Sequence, residues 1–218
     1  MMEIKNLKKS YGQGSAKVEV LKGINLTISK GETLALIGKS GSGKSTLLSL
    51  MAGLDQSDSG EVLIEGKNIS TMSEKELTRF RSSHMGIVFQ QFHLVSTLTA
   101  FENVLLPLEL LKISGAKERA MSLIESVGLS HRSHHLPSEL SGGESQRVAI
   151  ARALAIKPSI LFADEPSGNL DEETGEKVMD LLFSMVKETQ TTLVLVTHDL
   201  ELAKKCSRVV HLEHGSLG

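Results

Sequence analysis

The 218-residue sequence predicts an α/β fold, with a mainly parallel sheet core, an antiparallel β region and an inserted helical subdomain. Three observations carry this expectation. Short unbroken apolar runs, Thr33–Ile37 and Thr192–Val196 among them, read as strands buried on both faces. An amphipathic stretch at 171–187 separates two such runs, and that alternation calls for parallel strands joined by right-handed crossovers. Between Gln90 and Lys157 three segments carry helical spacing with polar faces, and no strand-like run appears. One domain over 1–218 is therefore expected, its core at 1–89 and 157–218 and its helical subdomain at about 90–156.

The elements follow in order. Residues 3–8 alternate loosely, and a turn is expected at Tyr11-Gly12-Gln13-Gly14. A second apolar stretch at 20–28 stops at Lys30-Gly31, as a hairpin arm does. The strand at 33–37 runs into a glycine-rich segment, and Leu47, Leu48, Leu50 and Met51 then mark a helix from Lys44 that Gly53 ends. Further buried strands are expected at 87–89, 159–163 and 192–196, and helices at 101–111, 116–127 and 143–156.

Composition narrows the function. Basic and acidic residues nearly balance, 24 against 26, which disfavours a generally basic nucleic-acid binder. No run approaches the roughly 20 apolar residues of a membrane span. The start, Met1-Met2-Glu3-Ile4-Lys5, lacks an apolar signal core, so a cytosolic location is expected. Cys206 is the single cysteine, which forbids an internal disulfide and suits a reducing compartment. Its neighbours Lys204, Lys205 and Arg208 could lower its pKa, but an unremarkable helix position is the favoured reading.

The segment Gly38-Lys39-Ser40-Gly41-Ser42-Gly43-Lys44-Ser45 fits the phosphate-loop pattern G-x-x-x-x-G-K-[ST] and lies between a predicted strand and a predicted helix. Its glycines let backbone N–H groups converge on phosphate oxygens, and the helix start adds its positive end. Lys44 would reach the β- and γ-phosphates of a bound nucleotide, the Ser45 hydroxyl would ligate Mg²⁺, and Thr46 completes the binding segment.

The strand at 159–163 delivers Asp164-Glu165 at its carboxyl edge, where open α/β sheets bind ligands. Asp164 suits the acidic residue that holds Mg²⁺, and Glu165 suits polarisation of the attacking water. His198 follows the strand at 192–196, where an imidazole can donate to a γ-phosphate oxygen. His131, His134 and His135 form a loose cluster, but no carboxylate or cysteine completes a metal set there.

Leu140-Ser141-Gly142-Gly143-Glu144 resembles the signature motif of the ATP-binding-cassette (ABC) ATPases, whose fold is a phosphate-loop NTPase. The order of motifs is similar too: phosphate loop, Gln90, signature, Asp164-Glu165, Ser167-Gly168-Asn169-Leu170-Asp171, His198. The resemblance implies a head-to-tail pair of chains with two ATP molecules between them. Ser141, Gly142, Gly143 and Glu144 of one chain would contact the ATP held by Lys44 of the other, and Asp171 would link the two sites. Gln90, which the strand at 87–89 selects over Gln91, would sense Mg²⁺ and the attacking water, and Tyr11 stands where the family stacks an aromatic on adenine. A structural role for Tyr11 remains the other reading.

The stretches 88–94, 97–104 and 163–171 are close to the LolD/MacB group within that family, with Ser145 and Ser167 as small departures. The group implies an ATPase peripheral to the cytoplasmic face of the inner membrane. It would drive a separate membrane subunit with few transmembrane helices and a large extracytoplasmic domain, in lipoprotein release or in export of drugs, peptides or other envelope substrates. Regulation of cell-division or envelope hydrolases through such a partner, without transport, is the alternative. A nucleic-acid partner is not expected. Phe92, Leu94, Leu98 and Phe101 would either form a groove for a short helix of the membrane subunit or fill the helical core.

Overall fold

The computed structural model describes residues 1–13 and 16–218. Its elements begin with β1 (Met2–Gln13), β2 (Ala16–Ile28), β3 (Thr33–Ile37), α1 (Lys44–Met51), β4 (Ser59–Ile64), β5 (Lys67–Asn68) and α2 (Glu74–His84). There follow β6 (Met85–Phe89), α3 (Ala100–Leu110), α4 (Ala116–Ser126), α5 (Gly142–Leu154), β7 (Ile160–Asp164) and α6 (Glu172–Thr189). The chain closes with β8 (Thr192–Val196), α7 (Leu200–Lys204), β9 (Arg208–Glu213) and β10 (Ser216–Leu217). The chain divides into two compact units, Met1–Arg81 with Thr192–Gly218, and Ser82–Thr191.

In the first unit an antiparallel sheet runs in the order β2–β1–β4–β5. β1 turns Met2, Ile4, Leu7 and Lys9 inward. The step from Ile4 to Leu7 breaks the two-residue period because the register shifts between them, with Asn6 at φ 46°. The turn expected at 11–14 is corrected: β1 continues through Tyr11, which pairs with Val18 of β2, and Gly14 lies outside the described residues. Beside this sheet β3 pairs in parallel with both β8 and β9, and β10 returns antiparallel along β9. Residues 34–37 and 192–196 are all buried, the physical reason they read as unbroken apolar runs. α1 buries Leu47, Leu48, Leu50 and Met51, and it stops at Gly53, whose φ of 63° suits glycine.

In the second unit β6 and β7 are parallel, from Met85 opposite Ile160 to Phe89 opposite Asp164. α3 starts with a capping box in which the Thr99 side chain accepts from the Glu102 N–H and Glu102 accepts from the Thr99 N–H. One turn on, the fully buried Asn103 organises the incoming loop. Its Oδ1 accepts from the Val95 N–H at 2.8 Å, and its Nδ2 faces the carbonyls of Val95, Leu98 and Thr99 at 2.9–3.1 Å. α6 buries Val178, Met179, Leu182, Met185 and Val186 along one face.

Gly86 sets how closely β6 approaches α5. A Cβ there would lie 2.5 Å from the Ala153 carbonyl oxygen and 2.8 Å from Leu161 Cδ1. The substitution Gly86→Ala is therefore expected to destabilise the protein by about 1–3 kcal/mol through overpacking, read as a lower urea midpoint with an unchanged slope.

Candidate active site

The phosphate loop leaves β3 of the first unit at its carboxyl end. Leu36 of β3 pairs with Val196 of β8, so Gly38 and His198 emerge from the same edge, each two residues beyond a paired position. The Thr197 N–H donating to the Leu36 carbonyl ties that edge together. Gly38 is required by close approach, because a Cβ would fall 2.3 Å from the Leu212 carbonyl oxygen. Ser42 N donates to the Lys39 carbonyl, closing the loop, while Ser40 and Gly41 are exposed at its tip. The α1 helix opens at Gly43, φ 102°, with no side chain capping its N–H groups. Those N–H groups and the helix dipole are what an anion needs.

Lys44 is buried, and its Nζ donates to the Gly38 carbonyl at 2.9 Å and the Lys39 carbonyl at 3.1 Å. An ammonium has three protons, so the third can go to a phosphate oxygen. The Ser42 hydroxyl is buried without a protein partner among the described residues, as suits a group that meets a ligand. A cavity of about 370 Å³ opens along the loop, lined by Val18, Val20, Lys39, Ser42 and His214 among others. These features fit a nucleoside triphosphate.

Tyr11 is held by two residues that the sequence did not single out. Its hydroxyl donates to Asp55 Oδ2 at 2.7 Å, Lys9 Nζ donates to Asp55 Oδ1 at 2.9 Å, and the same ammonium lies 4.9 Å from the Tyr11 ring centroid. Partial burial and the Asp55 carboxylate raise the Tyr11 pKa. Burial alone would raise Asp55 too, but the bonds from Lys9 and Tyr11 win and hold it below the usual carboxylate range. Lys9 lies over the ring, and Tyr11 as a whole is 43% exposed. Lys9 had only its place in a strand to mark it, inward by virtue of the bulge.

In the second unit the register of β6 on β7 brings three predicted residues together. Phe89 opposes Asp164, so Gln90 and Glu165 each step off the same carboxyl edge. Glu165 adopts φ 44°, a left-handed conformation that costs a non-glycine residue about 1–3 kcal/mol and collects at functional sites. Its carbonyl accepts from the Gly168 N–H at 2.9 Å, closing the turn into 167–171. Asp171 then caps α6: its Oδ1 accepts from the Thr174 N–H, a bond that holds its carboxyl below the ordinary value.

Ser141 caps α5, with Glu144 as the reciprocal member of the box. The Ser141 main-chain N–H bond, backed by Arg132 at 3.2 Å, keeps Glu144 ionised below its usual range against the opposing effect of burial. The two glycines have a packing reason as well: a Cβ on Gly143 would lie 2.4 Å from Thr174 Cγ2, and one on Gly142 3.1 Å from Leu170 Cδ2. Arg152, further along α5, escaped the sequence reading. Its guanidinium donates to the carbonyls of His93 and Phe92 at 2.6 and 3.0 Å, just beyond Gln90. Phe92 and His93 are both left-handed, at φ 59° and 47°.

The remaining expectations fare differently. Among the described residues no group of three His, Cys, Asp or Glu side chains is placed to hold a metal. His135 instead lies 3.1 Å from Arg132. Mg²⁺ commonly takes one or two protein ligands and completes its shell with phosphate and water oxygens, and the hydroxyl, carboxylate and amide of Ser45, Asp164 and Gln90 are hard oxygen donors of the right kind. Phe92, Leu94, Leu98 and Phe101 are half-buried. An apolar concavity of about 260 Å³ in this unit is lined by Met85, Ile87, Leu106, Pro107, Leu110 and Leu111 with neighbours, and Leu110 is 73% exposed. No helix among the described residues is long and apolar enough to cross a membrane.

A strand–loop–helix phosphate cradle, with acidic residues at a parallel carboxyl edge, defines a phosphate-loop nucleotide-binding protein. Comparison with known proteins sharpens the class. The sequence profile of the family described as ABC transporter matches residues 21–168. The ABC transporter ATP-binding protein YbbA of Escherichia coli (strain K12) is 52% identical over 100% of this chain and 96% of its own. The lipoprotein-releasing system ATP-binding protein LolD of Bdellovibrio bacteriovorus is 48% identical over 98% of each. The solved dimeric post-hydrolysis structure of the ATP-binding cassette MJ0796, bound to ADP and Pi, superposes with a TM-score of 0.91 at 42% identity, covering 100% of this chain and 96% of the other. The chain belongs to the ABC transporter ATPase family and is an ABC-type ATPase.

Of the two readings of Cys206, the structure goes against the lowered pKa. The residue lies just past α7 rather than inside it, and burial pushes its thiol up to about 11, outweighing its exposed cationic neighbours. At pH 8 about one thiol in a thousand is then ionised. The native protein is expected to resist iodoacetamide at that pH and to be alkylated once unfolded, as mass spectrometry would read.

Proposed function

We propose that this ATPase works as a pair of identical folds closing on two ATP–Mg²⁺ and that it powers a separate membrane subunit of the lipoprotein-release or envelope-export kind. The reading rests above all on the full-length likeness to a cassette solved as a dimer with ADP and Pi, together with the similarity to LolD. Within each chain the Gly38–Ser45 loop and Thr46 bind the phosphates, and the ring of Tyr11 receives adenine. Asp164, Ser45 and Gln90 supply oxygen ligands to the cation, which neutralises charge on the phosphates when bound. Glu165 accepts a proton from the water that attacks the γ-phosphorus, and His198 donates to a γ-oxygen.

Ser141, Gly142, Gly143 and Glu144 would meet the ATP of the partner chain, with Asp171 at the crossing between sites. Ser141 and Gly142 are exposed, as that role needs. The helices of about 90–156 act as an inserted subdomain in this scheme. The concavity beside Leu110 takes a short apolar helix of the membrane subunit, and this holds the protein at the cytoplasmic face of the inner membrane.

Glu165→Gln is expected to keep ATP affinity, to reduce turnover by at least 100-fold in line with loss of a general base, and to elute as an ATP-dependent dimer in light-scattering chromatography. Unchanged turnover would remove Glu165 from the mechanism. Lys44→Ala is expected to weaken ATP binding at least 10-fold, because a buried charge on the phosphates is lost; an unaltered calorimetric affinity would overturn the assignment of the loop.

A further inference from the structure

The loops that leave β6 and β7 are joined by a reciprocal pair of hydrogen bonds. Asn169 Nδ2 donates to the main-chain carbonyl of Gln90 at 3.0 Å, and Gln90 Nε2 donates to Asn169 Oδ1, also at 3.0 Å. The two bonds fix each other's sense. A carbonyl only accepts, so the end of Asn169 facing it must be the amide nitrogen. The other end of Asn169 is then an oxygen, and the Gln90 atom facing that oxygen must be its own nitrogen. By elimination, the Gln90 oxygen is the end left for another partner.

The surrounding backbone serves this arrangement. Asn169 sits in a turn closed by Gly168 N on the Glu165 carbonyl and Leu170 N on the Ser167 carbonyl. A Cβ on Gly168 would lie 2.8 Å from Gln90 Nε2 and 3.2 Å from its Cδ, so glycine provides the room in which the amide lies. The Asn169 bonds also span from the loop carrying the proposed water-polarising Glu165 to the loop carrying Gln90.

We infer that Asn169 is a positioning residue that sets which end of the Gln90 amide is presented to the nucleotide-bound divalent cation. An amide oxygen ligates a hard cation and an amide NH₂ does not, so the unconstrained side chain would spend part of its time presenting the wrong end. The inference rests on the reading of Gln90 as a metal ligand.

Manganese titration tests both statements without turnover. Mn²⁺ is added to the protein with the nonhydrolysable analogue AMPPNP, and free Mn²⁺ is read by electron paramagnetic resonance. Asn169→Ala is expected to weaken Mn²⁺ binding about 10-fold, the size typical of losing a group that orients a ligand, with analogue affinity in EDTA and the thermal midpoint unchanged. Gly168→Ala, which crowds the amide by a different route, is expected to do the same. Adding Asn169→Ala to Gln90→Ala should cost nothing further, because the positioned group is already gone. If Gln90→Ala weakens Mn²⁺ binding while Asn169→Ala leaves it unchanged or adds to it, the positioning role is overturned and Gln90 stays a ligand. If Gln90→Ala has no effect on Mn²⁺ affinity, the reading of Gln90 itself fails and the inference falls with it.

Discussion

The nucleotide end of this protein depends on one unmet electrostatic demand, the uncapped N-terminus of α1. Other helices satisfy their first N–H groups from within the chain, α3 through Thr99, α5 through Ser141, α6 through Asp171 and α7 through Asp199. α1 has Gly43 instead and no side chain to serve it. The N-terminus of α4 also has no side-chain cap, but there Gly115 is exposed to solvent. Gly43 is hemmed in, with Val20 and Leu21 atoms at 3.0–3.2 Å from any added Cβ. A larger residue is thus excluded where a cap would sit, and the helix keeps its positive end for a phosphate.

That demand explains why the site was legible in the sequence while parts of the fold were not. Glycines and a lysine at fixed spacing mark a loop whose chemistry is carried by the backbone, so Gly38–Ser45 could be read directly. Strands buried on both faces were equally plain: 33–37 and 192–196 match β3 and β8 to the residue. β4, α2 and β9 went unassigned because each has little to bury. α2 turns only Leu77 and Phe80 inward among eleven residues, and β9 buries Leu212 alone. Such elements are fixed by neighbours rather than by their own periodicity.

The residues that support the site were hidden for a related reason. Asp55, Lys9, Arg152 and Asn169 act across sequence separations of 44 to 79 residues, and no local pattern encodes a bond of that reach. Lys9 looks like a surface lysine until the bulge near Asn6 turns it inward. The signature glycines show the converse. Contact with a partner's ATP was the expectation for them, yet the tight fit of Gly143 against Thr174 gives that glycine a reason within a single chain.

Arg152 carries a consequence of its own. It reaches from the helix that begins at Ser141 to two neighbouring carbonyls, and both residues that own them stand in a conformation worth about 1–3 kcal/mol less than the relaxed one. Arg152 is one catch on this strained segment, beside the Phe92 N–H donating to the Phe89 carbonyl. A lysine cannot replace that catch, since a point charge lacks the fork that grips adjacent oxygens together. Any displacement of α5 would therefore be felt two residues from Gln90, without passing through the nucleotide at all.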